Sequence, residues 1–134
     1  MKSMNKKKII VVAAIIEKDK RILIGKRKKE KHFGGKWEFP GGKKEDEETP
    51  RACLEREFQE EFNVVIRAKE FFEESVYEHE DMIIQLVGYK ADYISGVFML
   101  KDHSEIRWVA ADDLNRYEFC PADIPLVEKI IKEA

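Results

Sequence analysis

Residues 41 to 64 read Gly-Gly-Lys-Lys-Glu-Asp-Glu-Glu-Thr-Pro-Arg-Ala-Cys-Leu-Glu-Arg-Glu-Phe-Gln-Glu-Glu-Phe-Asn-Val. A pair of glycines feeds a short acidic loop, and the loop feeds a helix. Thr49 is a good N-cap, and Pro50 suits the first helical position because its φ is already fixed there. Leu54, Phe58 and Phe62 recur at i, i+4 and i+8, an apolar stripe for a core. Glu57, Glu60 and Glu61 stand at i, i+3 and i+4 and share one face beside that stripe. Like charges so placed destabilise an isolated helix by a few tenths of a kcal/mol per pair. A hard divalent cation would offset this, and Mg²⁺ binds jointly to carboxylates and substrate phosphates. An acidic helix face taken alone is most often a solvated surface, so the surrounding string has to decide. At the helix end Asn63 predicts a left-handed residue, a conformation that Asn tolerates best after glycine.

Outward from this segment, residues 8 to 17 read as a buried strand of β-branched residues. Asp19-Lys20 is a turn, and Arg21 to Lys28 a second strand with Ile22 and Ile24 on one face. A charged loop follows to Gly35, then the short extended piece Trp37-Glu-Phe39, stopped by Pro40-Gly41-Gly42. Two long strands are expected over 64–77 and 82–93, joined by a hairpin. Further strands are expected over Gly96 to Leu100 and Ile106 to Val109, with a helical turn from Ala111 to Leu114. A last helix is expected over Ile124 to Lys132, with Asp123 as its N-cap and Pro125 in its first turn. Strands with two helices of different type predict an α+β fold.

The chain has 134 residues, the length of one domain, here residues 1–134. Its net charge of −2 and charged content of 39%, mixed in sign, predict no general polyanion surface and no nucleic acid polymer as partner. Its two cysteines, Cys53 and Cys120, make no metal pattern and no disulfide framework. They fit a reducing, cytoplasmic setting. The lysines before the apolar run at residues 9–16 imitate a signal peptide, but the run is short and ends in Glu17-Lys-Asp-Lys20. No stretch approaches a membrane span, and no membrane partner is expected. Oligomeric state is left open. His32, His79 and His103 are isolated in sequence and are expected not to be ligands.

Gly42, Glu48, Arg56, Glu57, Phe58, Glu60, Glu61 and Val64 fall on the pattern G-x5-E-x7-R-E-U-x-E-E-x-G-U, where U is apolar. This resembles the Nudix box, the signature of hydrolases that cleave a nucleoside diphosphate linked to another group. Asn63 is the departure, standing where the family usually has glycine. The resemblance covers roughly residues 8 to 132 and implies an α/β/α sandwich with a mixed sheet. It places a metal on Glu57, Glu60 and Glu61, with the Gly41 or Gly42 carbonyl as a further ligand. Mg²⁺ is the expected ion, with Mn²⁺ able to substitute. The matching Glu48–Arg56 pair in such proteins braces the loop against the helix, a structural role. The base that activates water would be a box glutamate or Asp102, six residues before Trp108, with Glu105 as its rival.

Two other pieces narrow the resemblance. Gly35-Lys-Trp-Glu-Phe-Pro-Gly-Gly42 runs into the box, and Pro121-Ala-Asp-Ile-Pro-Leu-Val127 closes the chain. Together with the short length, these look like MutT-type nucleoside triphosphate pyrophosphohydrolases, closest to the bacterial CTP and oxidised-nucleotide enzymes. That resemblance implies a phosphate contact for Arg27 and a base-reading role for Asp123, where the guanine-selective enzyme has asparagine. An ionised Asp accepts hydrogen bonds only and so favours a base offering an amine, such as cytosine; a protonated one regains a donor. Phe39 and Ile84 are candidate pocket walls. A small-molecule nucleotide is therefore the expected partner: CTP, dCTP or a damaged dNTP. The alternatives are an 8-oxo-dGTP sanitising enzyme, or a non-catalytic nucleotide-binding module.

Overall fold

The computed structural model describes residues 6–134. Strand β1 (Lys7–Lys18) is the centre of the sheet. It lies parallel to β6 (Met82–Gly96), in register from Lys7 opposite Met82 to Ile16 opposite Ala91. Strand β5 (Val64–His79) pairs antiparallel with β6 and forms one edge. On the other side β2 (Arg21–Arg27) meets the end of β1 and carries β3 (Trp37–Glu38) and β7 (His103–Ala110). The short β4 (Gly41–Lys43) runs antiparallel to the middle of β1. The parallel β1–β6 contact among antiparallel neighbours makes the sheet mixed.

The period-2 geometry of β1 divides the core in two. Val12, Ala14 and Ile16 point to one face and pack with Leu54, Phe58 and Phe62 of helix α1 (Pro50–Phe62). Ala13 and Ile15 point to the other and pack with Leu126, Val127 and Ile130 of helix α2 (Ile124–Glu133). The sheet is thus the middle layer of an α/β/α sandwich. All three residues of the α1 stripe are fully buried. Thr49 Oγ1 accepts from the Ala52 N–H at 3.1 Å at the start of α1, and Asn63 ends it at φ 59°, ψ 37°.

Some boundaries differ from the sequence reading. Residues 97–100 form no strand: β6 continues to Gly96, whose φ of +110° turns the chain out. The side chains of Val97, Met99 and Leu100 are then exposed, and the Met99 N–H bonds to the Phe62 carbonyl at 2.9 Å instead of to a strand. The strands β5 and β6 are longer than expected, leaving Glu80-Asp81 as the hairpin turn. The glycine pair does not merely stop the preceding strand; it begins β4. The helical turn after β7 is a 3₁₀ turn over Ala111–Arg116. Among the described residues no helix is long and apolar enough to cross a membrane.

Candidate active site

Helix α1 and the glycine turn of β4 bring the box together. A Cβ on Gly42 would lie 2.1 Å from the Glu57 carboxyl carbon. Glycine at this position is what lets the Glu57 carboxylate rest against the turn. Arg56 holds the loop to the helix. Its Nε donates to Glu48 Oε2 at 2.9 Å and its Nη2 to Glu48 Oε1 at 2.7 Å, a bidentate pair. That guanidinium, helped by the Glu45 N–H, lowers the Glu48 carboxyl to about 2. Arg56 Nη1 also reaches Glu60 at 3.0 Å and Glu57 at 3.2 Å, so one cation stands between two box carboxylates.

Burial raises Glu57 above the usual carboxylate range, with Arg56 opposing and Glu60 adding to the rise. Glu61 is pushed up to about 7, first by desolvation and then by the adjacent Asp102 carboxyl. Asp102 is held low by that contact and by Lys31 at 3.1 Å. Glu61 Oε1 is buried without a hydrogen-bond partner. The structure therefore brings Asp102 to the box and leaves Glu105 apart, paired with Arg107.

A cavity of about 340 Å³ opens on the other side of the glycine turn. Arg27, Phe39, Ile84, Asp123, Gly41 and Gly42 all line it. Glu57, Glu60, Glu61 and Asp102 are not in its wall; Glu57 stands just behind Gly42. Arg27 is tied in place, with Nη1 on Glu38 Oε1 at 3.1 Å and Nε on the His32 carbonyl at 2.6 Å.

Asp123 is 4% exposed. Its Oδ2 accepts from the Phe39 N–H at 2.9 Å. Burial, then the nearby Glu38 charge, raises its pKa well above the ordinary aspartate value against the pull of the Phe39 N–H and Arg27. The expected cap does not form. Asp123 has helical angles, φ −83° and ψ −18°, inside a 3₁₀ turn, and its side chain makes no bond to the start of α2. An N-cap needs an extended backbone to fold its side chain over the first turn.

The sequence reading missed Glu38 and the partner that His103 gives it. His103 is buried, with Nε2 2.8 Å from Glu38 Oε2. The available signal was a charged residue between Trp37 and Phe39 in an extended piece, where alternation turns Glu38 away from both rings. Among the described residues, the one group of three metal-type ligand atoms lying within 4.8 Å of one another is Glu38, Cys120 and Asp123, not the box. Burial raises the Cys120 thiol above its usual range, which disfavours the thiolate a metal would need.

Residues 6–130 match the NUDIX domain family, and the chain belongs to it. It is an enzyme, a Nudix hydrolase, of a family that typically uses a divalent metal. The chain is 36% identical over 122 residues to the CTP pyrophosphohydrolase of Escherichia coli (strain K12), covering 91% of this chain and 90% of that protein. It is 34% identical over 125 residues to the 8-oxo-dGTP diphosphatase of the same organism, covering 93% and 97%. Among solved structures it is similar to the E. coli ORF135 protein, with TM-score 0.83 and 35% identity over 95% of this chain and 91% of that one. It is also similar to the MutT protein from Methanosarcina mazei Go1, with TM-score 0.84 and 25% identity, covering 96% of each.

Proposed function

We propose that this chain, working as one domain, hydrolyses a nucleoside triphosphate to the monophosphate and pyrophosphate with Mg²⁺, and that Mn²⁺ can substitute. The observation that carries this reading is the cavity: apolar walls, the buried Asp123 carboxyl and Arg27 gathered around Glu38, and the glycine turn with Glu57 directly behind it. That layout suits a nucleotide whose base lies against the apolar walls while its phosphates face the turn and the box behind it. A free nucleotide, rather than a nucleic acid polymer or a membrane, is the partner, and the enzyme is cytoplasmic.

The box residues fit a divalent cation on three grounds. Glu61 Oε1 is a buried oxygen without a partner. Gly42 lets the Glu57 carboxylate rest against the backbone of the turn, whose carbonyls are the other oxygen ligands expected. Burial raises both Glu57 and Glu61, so a nearby positive charge would stabilise their ionised forms. Glu57, Glu60 and Glu61 would hold the ion, with the Gly41 or Gly42 carbonyl. When bound, it neutralises phosphate charge and lowers the pKa of an attacking water.

The remaining roles belong to the chain's own groups. Arg27 binds phosphate. Phe39 and Ile84 wall the base. The Glu61–Asp102 pair, two carboxyls in contact at the edge of the box, takes the proton from water. Glu48 and Arg56 keep the loop on the helix. Water attacks the β-phosphorus, the bond from that phosphorus to the bridging oxygen breaks, and the monophosphate leaves with that oxygen.

Asp123 reads the base, and its environment supports two substrates. Ionised, it accepts from the cytosine amine. Protonated, it donates to the O6 of 8-oxoguanine. The chain's similarity to relatives named for each substrate supports both. A panel of triphosphates, ADP-ribose and dinucleotides with Mg²⁺, scored for pyrophosphate, tests the proposal. Release of pyrophosphate from CTP, dCTP or 8-oxo-dGTP is expected; turnover of only ADP-ribose or dinucleotides would overturn it.

A further inference from the structure

His103 begins β7, next to Asp102, and is 4% exposed. Its ring lies nearly parallel to Phe62, the last residue of α1, with centroids 5.4 Å apart. On β2 a Cβ at Gly25 would come within 2.7 Å of the ring. The imidazole is thus slotted between the end of the box helix and the strand that carries Arg27. From this slot Nε2 reaches Glu38 Oε2 at 2.8 Å, while Glu38 Oε1 takes Arg27 Nη1 at 3.1 Å. Both oxygens of Glu38 are therefore held, one by each donor. His103 Nδ1 is buried with no partner. An apolar ring would fill the same slot without that unsatisfied atom, so packing alone does not account for a histidine here. The bond to Glu38 does.

We infer that His103 is a positioning residue: through its Nε2–H it fixes Glu38, and through Glu38 it sets the aim of Arg27 and the charge beside Asp123 in the nucleotide cavity. The inference rests on the proposed triphosphate activity. Adjacent residues then serve both parts of the site, Asp102 the box through Glu61 and His103 the cavity through Glu38. The nucleotide feels His103 without touching it.

Three variants test this with dCTP and Mg²⁺: His103→Phe, His103→Gln and Glu38→Gln. The first keeps a ring against Phe62 but has no donor; the second keeps an N–H of similar reach. His103→Phe should raise KM by about tenfold, the scale of one hydrogen bond to a charged group, and leave kcat within about twofold of wild type. His103→Gln should recover most of the loss. His103→Phe combined with Glu38→Gln should be little worse than Glu38→Gln alone. A merely structural role predicts otherwise: a smaller folded fraction, hence lower apparent kcat at unchanged KM, and no rescue by Gln. That result, or additive effects, would overturn the inference. If wild type cleaves no triphosphate, the functional reading fails by itself. The contact is then decided by the imidazole ¹⁵N spectrum. A protonated Nε2 that shifts in Glu38→Gln supports it, and an Nδ1–H tautomer indifferent to Glu38 overturns it.

Discussion

Asp123 is placed where its charge state decides its chemistry. With burial and Glu38 raising its pKa, the folded protein holds a proton on Asp123 over a pH range in which the unfolded chain has released it. The sign follows. The stabilising contribution is complete below the ordinary value of 3.8 and is lost as pH rises through the raised folded pKa. Asp123→Asn removes this loss, so the variant should gain stability relative to wild type as pH rises, measured by urea unfolding across that range. Under the proposed base-reading role, the same proton sets substrate choice. In wild type the ratio of kcat/KM for dCTP over 8-oxo-dGTP should rise with pH as Asp123 ionises. In Asp123→Asn the ratio should be flat and shifted toward 8-oxo-dGTP by about 1–3 kcal/mol, the scale of an unsatisfied buried polar group. A ratio unchanged by the substitution would remove Asp123 from the base-reading role. The position of Asp123 was readable from Pro121-Ala-Asp-Ile-Pro, but its partner was not. Capping rules assume an extended residue, and the 3₁₀ turn gives Asp123 helical angles instead. The His103–Glu38 bond spans a separation of 65 residues, beyond the reach of any local pattern.

At the level of elements, α1 was legible nearly to the residue because cap, stripe and stop agree locally. Thr49, the Leu54–Phe58–Phe62 spacing and Asn63 each act within a turn of the chain. Asn63→Val should therefore destabilise by about 1–2 kcal/mol, since a β-branched residue resists the left-handed conformation; thermal unfolding measures it. The brace from loop to helix has its own signature. Glu48 is lowered from 4.5 to about 2, so its contribution is present above 4.5 and is lost as pH falls toward 2. Glu48→Gln should flatten the acid limb of stability in that window, and acid titrations of the two proteins would show it. The segment 97–100 was misread for the opposite reason. Its apolar residues suit a strand, but Gly96 turns the chain from the sheet toward the end of α1, where the Met99 N–H meets the Phe62 carbonyl, and pairing is a property of the sheet rather than the segment. Glu57→Gln and Glu60→Gln should each lower kcat by roughly two orders of magnitude or more. Folding should be retained, because the Gln amide oxygen can still accept from Arg56 and each change relieves like-charge crowding.

Across the whole molecule, the central claim joins the two sides of the glycine turn: a nucleotide held in the cavity presents its phosphates to the box. The α/β/α layering does this by placing α1 on one face of β1 and the Asp123 turn and α2 on the other. The most direct test is turnover of CTP in ¹⁸O-water with Mg²⁺, followed by ³¹P NMR of the products. The account predicts CMP and intact pyrophosphate, with the label in pyrophosphate and no reaction in excess chelator. CDP with orthophosphate, label in CMP, or full turnover in excess chelator would contradict it.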